Sequence, residues 1–257
     1  MIIIIVEQSH ILLVNKGSSF IIIISSYIKR EIQEAMKINK IVILLIRHGN
    51  TKFNKKKIFR GHADIPLDKT GMDQADKTGK LLGDINIRKI YCSPLSRAVQ
   101  TAEKISDRQK KQTKIITEEG FTDLSFGNWQ GKSFEEVQKE YPEIYNTWVH
   151  KPHLTNIPGG ETLTKAKERS WKALNDIVEE YKGKDSLQVF AVVSHRVINK
   201  LIINSMLGLD ESKFWQIKQD PCCINIFEYQ YGNYFVSRIN HSSHIYTVKD
   251  SIEIMDF

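Results

Sequence analysis

Ile41-Val42-Ile43-Leu44-Leu45-Ile46 runs without a break into Arg47-His48-Gly49-Asn50-Thr51. An unbroken apolar run of this length predicts a strand buried on both faces, as in the middle of a parallel sheet. A guanidinium and an imidazole stand at its carboxyl end. A second apolar run, Val189 to Val193, stops in the same way at Ser194-His195-Arg196. Ligands in open α/β sheets bind outside the carboxyl ends of parallel strands. Two such strands, each delivering a histidine, predict one site built from distant parts of the chain.

The sequence around these runs alternates apolar strands with amphipathic segments, the pattern of an α/β protein. Lys52–Asp68 reads as a polar loop, and a helix follows to about Leu82, with Thr70 as its N-cap and Asp73 three residues on. Arg88–Cys92 reads as a short strand, and Pro94 is placed in the first turn of the next helix, where its missing N–H costs nothing. Lys114–Thr117 is a third strand, and Ser133–Tyr141 and Pro142–Trp148 are short helices of an insertion spanning residues 128–158. After the turn at Pro158-Gly159-Gly160 come a long helix over Glu161–Tyr181, a strand over Leu187–Val193 and a helix over Val197–Leu207. Cys223–Tyr229 and Tyr234–Ile239 form a hairpin. Ile226, Phe227 and Tyr229 are read as exposed near a sheet edge, which would permit a homodimer.

At 257 residues, with 41% hydrophobic and 26% charged, one large globular domain is expected. The net charge of +7 favours anionic ligands. No dense basic run carries interleaved aromatics, so nucleic acid is not an expected partner. Cys92, Cys222 and Cys223 have neither disulfide nor zinc spacing, and a reduced, cytoplasmic compartment fits them best. Cys92 is expected at a buried strand end, without a catalytic role.

Residues 1–35 are isoleucine-rich and of low complexity. Glu7, His10, Lys16 and Gly17 interrupt the apolar stretches, so neither a signal peptide nor a membrane-spanning helix is expected, and no membrane partner; anchoring is the lesser alternative. Met36 is read as the initiator. Residues 1–35 are then a non-native upstream extension or a disordered leader, and residues 36–257 the folded domain.

Arg47-His48-Gly49 with Thr51, Arg60-Gly61-His62-Ala63-Asp64-Ile65-Pro66-Leu67, the block Ser93 to Ala102, Leu124 to Gly131, Pro158 to Thr162 and Val193-Ser194-His195 occur in that order. Together this set resembles the histidine phosphatase superfamily, also called phosphoglycerate-mutase-like, over residues 41–245. The resemblance implies a three-layer α/β sandwich with a mostly parallel central sheet and helices on both faces. It also implies a phosphohistidine intermediate and no metal cofactor.

Residue chemistry supports the same pattern. Phosphoryl transfer needs an in-line nucleophile and neutralised non-bridging oxygens. A neutral imidazole can be that nucleophile, which points to His48. Arg47 and Arg97 can grip phosphate oxygens through guanidinium forks, and His195 adds a donor. Asn54, Arg60 and the backbone around Gly61 are candidates to complete the cradle. The resemblance places the proton donor at Asp123, where many relatives carry glutamate, with Glu118 and Glu119 as nearby fallbacks. Arg196 stands where many relatives have glycine and is expected at the pocket rim, against an anionic substrate. His62, His150, His153, His241 and His244 are read as surface or loop residues. Trp129, Trp148, Trp171 and Trp215 are read as packing, with Trp129 and Trp148 as candidate pocket walls.

The expected activity is metal-independent hydrolysis of a small phosphomonoester. A cofactor-dependent phosphoglycerate mutase is the alternative enzyme, although the acid block Thr122 to Gly131 resembles the phosphatase branch. A non-catalytic phosphate-binding member is the other alternative, supported only by the Asp123 and Arg196 departures. The insertion is expected to cap the pocket and carry specificity.

Overall fold

Side chains of successive residues in a strand point to opposite faces of the sheet, and in strand β1 (Ile41–Arg47) each set finds its own core. Ile43 and Leu45 join Phe190 and Val192 in one cluster, while Leu44 and Ile46 join Val189, Ala191 and Val193 in another. This is why β1 and β4 (Gln188–Ser194) are apolar throughout. Each fully buried side chain of this size contributes about 1.5–3 kcal/mol.

The structure, a computed structural model, describes residues 40–184, 186–247 and 249–250, together with Ile3–Ile4 and Leu13–Val14. Two units divide the chain, Met1–Ile38 and Asn39–Phe257. In the first, Ile3–Ile4 and Leu13–Val14 form an antiparallel pair. The expectation for residues 1–35 otherwise lies outside the described residues.

In the second unit β1, β2 (Lys89–Cys92), β3 (Lys114–Thr117), β4, β5 (Ile224–Gln230) and β6 (Asn233–His241) form one sheet in the order β3-β2-β4-β1-β5-β6. The first four strands of that order are parallel, and β5 and β6 are antiparallel additions. Helices α1 (Lys69–Leu82) and α2 (Ser96–Asp107) pack together on the face of the Leu44 cluster. On the other face lie α5 (Leu163–Tyr181) and α6 (Arg196–Met206). This is the expected three-layer α/β arrangement. Helices α3 (Phe134–Glu140) and α4 (Pro142–His150) fall in the segment 128–158, and their Val137 and Trp148 belong to the larger core.

Several local expectations are corrected. Asp68, not Thr70, caps α1, because its carboxylate accepts from Gly71 N at 2.8 Å. Pro94 precedes α2 and is not in its first turn. The helix begins at Ser96, whose N and Oγ donate to the Asp64 carboxylate at 2.7 Å each. The loop after β1 contains a helical turn, Lys52–Lys55. Phe227 is fully buried, with Ile226 and Tyr229 partly so, because β5 lies between β1 and β6 and is not an edge. At the true edge, β6 exposes Phe235, Val236 and Ile239. Among the described residues no helix is long and apolar enough to cross a membrane. The three cysteines are free and buried, and burial pushes the Cys92 thiol up to about 12.

Candidate active site

The register of β1 on β4 sets Arg47 opposite Ser194, so His48 and His195 leave adjacent strand ends together. The loop after β1 is held by its own backbone. His48 N donates to Ser194 O (2.9 Å), Gly49 N to Thr101 Oγ1 (3.2 Å), Asn50 N to Gln74 Oε1 (2.9 Å) and Thr51 N to Asn54 Oδ1 (2.9 Å). These successive N–H groups are engaged in fixing the loop, which leaves anion binding there to side chains. Close packing of α1 completes the clamp: a Cβ on Gly71 would lie 2.1 Å from Asn50 O.

His48 is fully buried and its Nδ1–H donates to Gly49 O at 2.6 Å, which puts the lone pair on Nε2. Burial, then Arg97, His195, Arg60 and Arg47, hold its pKa well below the usual imidazole value. His195 is buried too, and its Nδ1 accepts from Arg97 Nε at 3.2 Å, so its proton sits on Nε2. Burial and neighbouring arginines lower its pKa as well. His48 Nε2, His195 Nε2 and Arg47 Nε are buried without a hydrogen-bond partner. Buried polar atoms are ordinarily satisfied. A lone pair and two donors left open on residues at adjacent strand ends suit a ligand rich in acceptor oxygens with an electrophilic centre.

Arg97 is fixed by four acceptors: His195 Nδ1, Ala63 O (2.8 Å), Gly61 O (2.9 Å) and Asp123 Oδ2 (3.2 Å). Burial lowers its pKa, and the Asp123 carboxylate opposes that shift. Asp123 is 5% exposed; its Oδ1 accepts from Leu124 N, and its Oδ2 lies 3.7 Å from His195 Nδ1. Arg47 donates to Gln219 O.

A cavity of about 260 Å3 opens in front of this group. Arg47, Asn54, Arg60, Asp123 and Arg196 line it, whereas His48, Arg97 and His195 are fully buried. Gly61 lies behind Arg97, with φ +51° and its carbonyl turned to that guanidinium. Arg60 Nη1 reaches Thr51 Oγ1 at 3.5 Å, and burial lowers its pKa. Arg196 also lies over the Trp215 ring, 5.9 Å from its centroid. Glu118 and Glu119 accept hydrogen bonds within the turn before Asp123. Trp129 and Trp148 are buried in the larger core; the aromatic wall is made by Phe53, Phe59, Phe126 and Phe134, the last from the insertion.

Other residues at the site had no site role in the sequence reading. Exposed His62 donates from Nε2 to Asp123 O at 2.9 Å, and Arg169 donates to the same carbonyl at 3.1 Å while paired with Glu161. The Glu161–Arg169 spacing across a helix start was the available signal for that pair. Tyr246 lines the cavity from a segment with no motif of its own. His244 lies in a turn, as expected, but is half-buried, and burial lowers its pKa to about 4. Among the described residues no group of three or more His, Cys, Asp or Glu could hold a metal ion.

A mostly parallel sheet that presents two neutral imidazoles and several guanidinium groups at its carboxyl end defines an α/β protein equipped to handle anions. The profile of the histidine phosphatase superfamily (branch 1) matches residues 43–242, and the chain belongs to that family of phosphoric monoester hydrolases. Phosphoserine phosphatase 1 of Hydrogenobacter thermophilus is 29% identical over 203 residues, covering 79% of this chain and 93% of that protein. Adenosylcobalamin/alpha-ribazole phosphatase of Escherichia coli is 29% identical over 182 residues, covering 70% of this chain and 85% of its own length. Among solved structures, Bacillus stearothermophilus YhfR matches with a TM-score of 0.75 at 26% identity, over 80% of this chain and 100% of that one. Phosphoserine phosphatase of Entamoeba histolytica, solved with 3-phosphoglyceric acid, matches with a TM-score of 0.70 at 25% identity, over 80% and 100%.

Proposed function

We propose that this enzyme hydrolyses a small phosphomonoester without a metal, through a phosphohistidine on His48. The observation that carries the reading is a set of open buried atoms on neighbouring residues: the His48 Nε2 lone pair and the donors His195 Nε2 and Arg47 Nε, with the two rings 5.0 Å apart. His48 Nε2 attacks phosphorus in line, and the bond to the ester oxygen breaks. Arg47, His195 and Arg97 stabilise the charge on the non-bridging oxygens. The Asp123 carboxyl gives a proton to the leaving alkoxide, then takes one from the water that attacks the phosphohistidine. Phosphate leaves and His48 returns to its neutral form. The Nδ1–H bond to Gly49 O keeps the ring in the reactive tautomer and supports the positive charge it gains. Asn54, Arg60 and Arg196 line the cavity, where they bind the rest of the substrate.

Hydrolysis is favoured over mutase chemistry by the block around Asp123 and by the phosphatases among the relatives. Phosphate release from an aryl phosphate in excess chelator, for the full chain beside His48→Ala, tests the reading. Turnover only in the wild type supports it; silence in both, or equal turnover in both, overturns it. With 3-phosphoglycerate, inorganic phosphate is the expected product, and 2-phosphoglycerate would mark a mutase.

A further inference from the structure

Tyr246 lies beyond the stretch that matches the family profile, which ends at residue 242, yet it lines the same cavity as Arg47 and Asn50. Its place is built rather than incidental. Its hydroxyl accepts from Gln74 Nε2 at 2.6 Å, and the other end of that amide, Oε1, accepts from Asn50 N at 2.9 Å. Gln74 is 2% exposed, so the bridge between Tyr246 and the loop of His48 is sheltered from water. The segment carrying Tyr246 is pinned beside it. Thr78 Oγ1 gives its proton to Gln74 O, and His244 Nε2 lies 3.0 Å from Thr78 Oγ1. Tyr246 N donates to Ser242 O at 3.0 Å.

A phenol that accepts from an amide still has its own proton to give. Burial raises the pKa of Tyr246, so the hydroxyl keeps its proton, and Arg47 lines the same cavity. We propose that Tyr246 is a further ligand of the substrate's phosphoryl group, its O–H donating to a non-bridging oxygen beside Arg47, supplied from beyond residue 242, where the family match ends. This rests on the hydrolase reading above and adds to it a donor that the motifs do not contain.

The test is Tyr246→Phe in the full chain, which keeps the ring and removes only the hydroxyl. Expected is a fall in kcat/KM of about tenfold, the order for a donor to a charged acceptor, and to the same degree for 4-nitrophenyl phosphate and phosphoserine. The inhibition constant of inorganic phosphate should rise by a similar factor, while the ligand-free melting temperature falls because Gln74 Nε2 loses its acceptor. A loss confined to one substrate, with phosphate inhibition unaltered, overturns the proposal and assigns Tyr246 to the leaving group. A second measurement does not depend on turnover: phosphate should raise the melting temperature of His48→Ala more than that of His48→Ala/Tyr246→Phe, and equal rises overturn the proposal. Wild-type turnover with an unaltered Tyr246→Phe enzyme sinks this proposal alone. A wild type that neither turns over nor binds phosphate sinks the hydrolase reading with it.

Discussion

His48 and His195 meet edge to face, ring centroids 5.0 Å apart and planes at 60°, in opposite tautomers. Gly49 O draws the proton of His48 to Nδ1, and Arg97 Nε leaves His195 only Nε2 to protonate. One ring offers an electron pair and its neighbour a proton. Both are neutral because burial and surrounding guanidinium groups oppose a further positive charge.

The proposed nucleophile is therefore available in acid. With the pKa of His48 held well below 6.5, its lone pair persists as pH falls through that value. In a profile of kcat/KM for an aryl phosphate, corrected for titration of the substrate, the acid limb assigned to His48 should lie below 6.5. A limb at or above that value would contradict the buried, neutral imidazole.

Stability should show the same histidines with a defined sign. His48, His195 and His244 have lowered pKa values in the folded state, that of His244 at about 4. Above pH 6.5 they are neutral in both states. Below it the unfolded chain takes up protons that the native protein refuses, so stability falls as pH drops, by up to about 1.4 kcal/mol per pH unit for each such histidine. Urea denaturation at pH 7.5 and pH 5.0 measures this, and equal midpoints would refute it. His244→Gln should flatten the slope.

Asp123→Asn separates proton donation from phosphoryl binding. An alkoxide needs a proton to leave and 4-nitrophenolate does not. Hydrolysis of an alkyl phosphate should drop by about 10²–10⁴-fold. The aryl ester should instead give a burst approaching one nitrophenolate per site, then slow turnover, because the general base for water is lost as well. Equal losses in the first turnover of both esters would remove Asp123 from the acid role.

Arg97→Lys retains the charge, but one ammonium cannot serve acceptors spread over His195, Ala63, Gly61 and Asp123. A fall in kcat/KM of about 10²–10³-fold is expected, with destabilisation on the order of 2 kcal/mol from buried carbonyls left without donors. Steady-state kinetics and urea midpoints together report both, and a stable, active Lys variant would show that the fork is dispensable.

The sequence made the strand ends of the site readable because two apolar runs stop at histidines, a one-dimensional pattern with a three-dimensional cause. Arg97 and Asp123 were readable only through the motif set that accompanies them. What stayed hidden depends on residues that meet only after folding. Asp64 starts α2 from 32 positions upstream of Ser96. Phe227 was misplaced because alternation along a strand says which face is apolar, and only the sheet order says whether that strand is an edge. Tyr246 has no local signature; its position follows from an amide on α1.

The position of β1 has a consequence for how the protein is made. This strand comes early in the unit, yet its two neighbours, β4 and β5, begin only at Gln188 and Ile224. On the ribosome Ile41–Ile46 must wait for most of the chain before either side is paired. Long-range pairing of this kind is slow, and it leaves an apolar segment exposed to aggregation meanwhile. The nascent chain therefore presents a chaperone substrate at this segment. A product cut short before β4 contains His48 but not His195, and it has no assembled site.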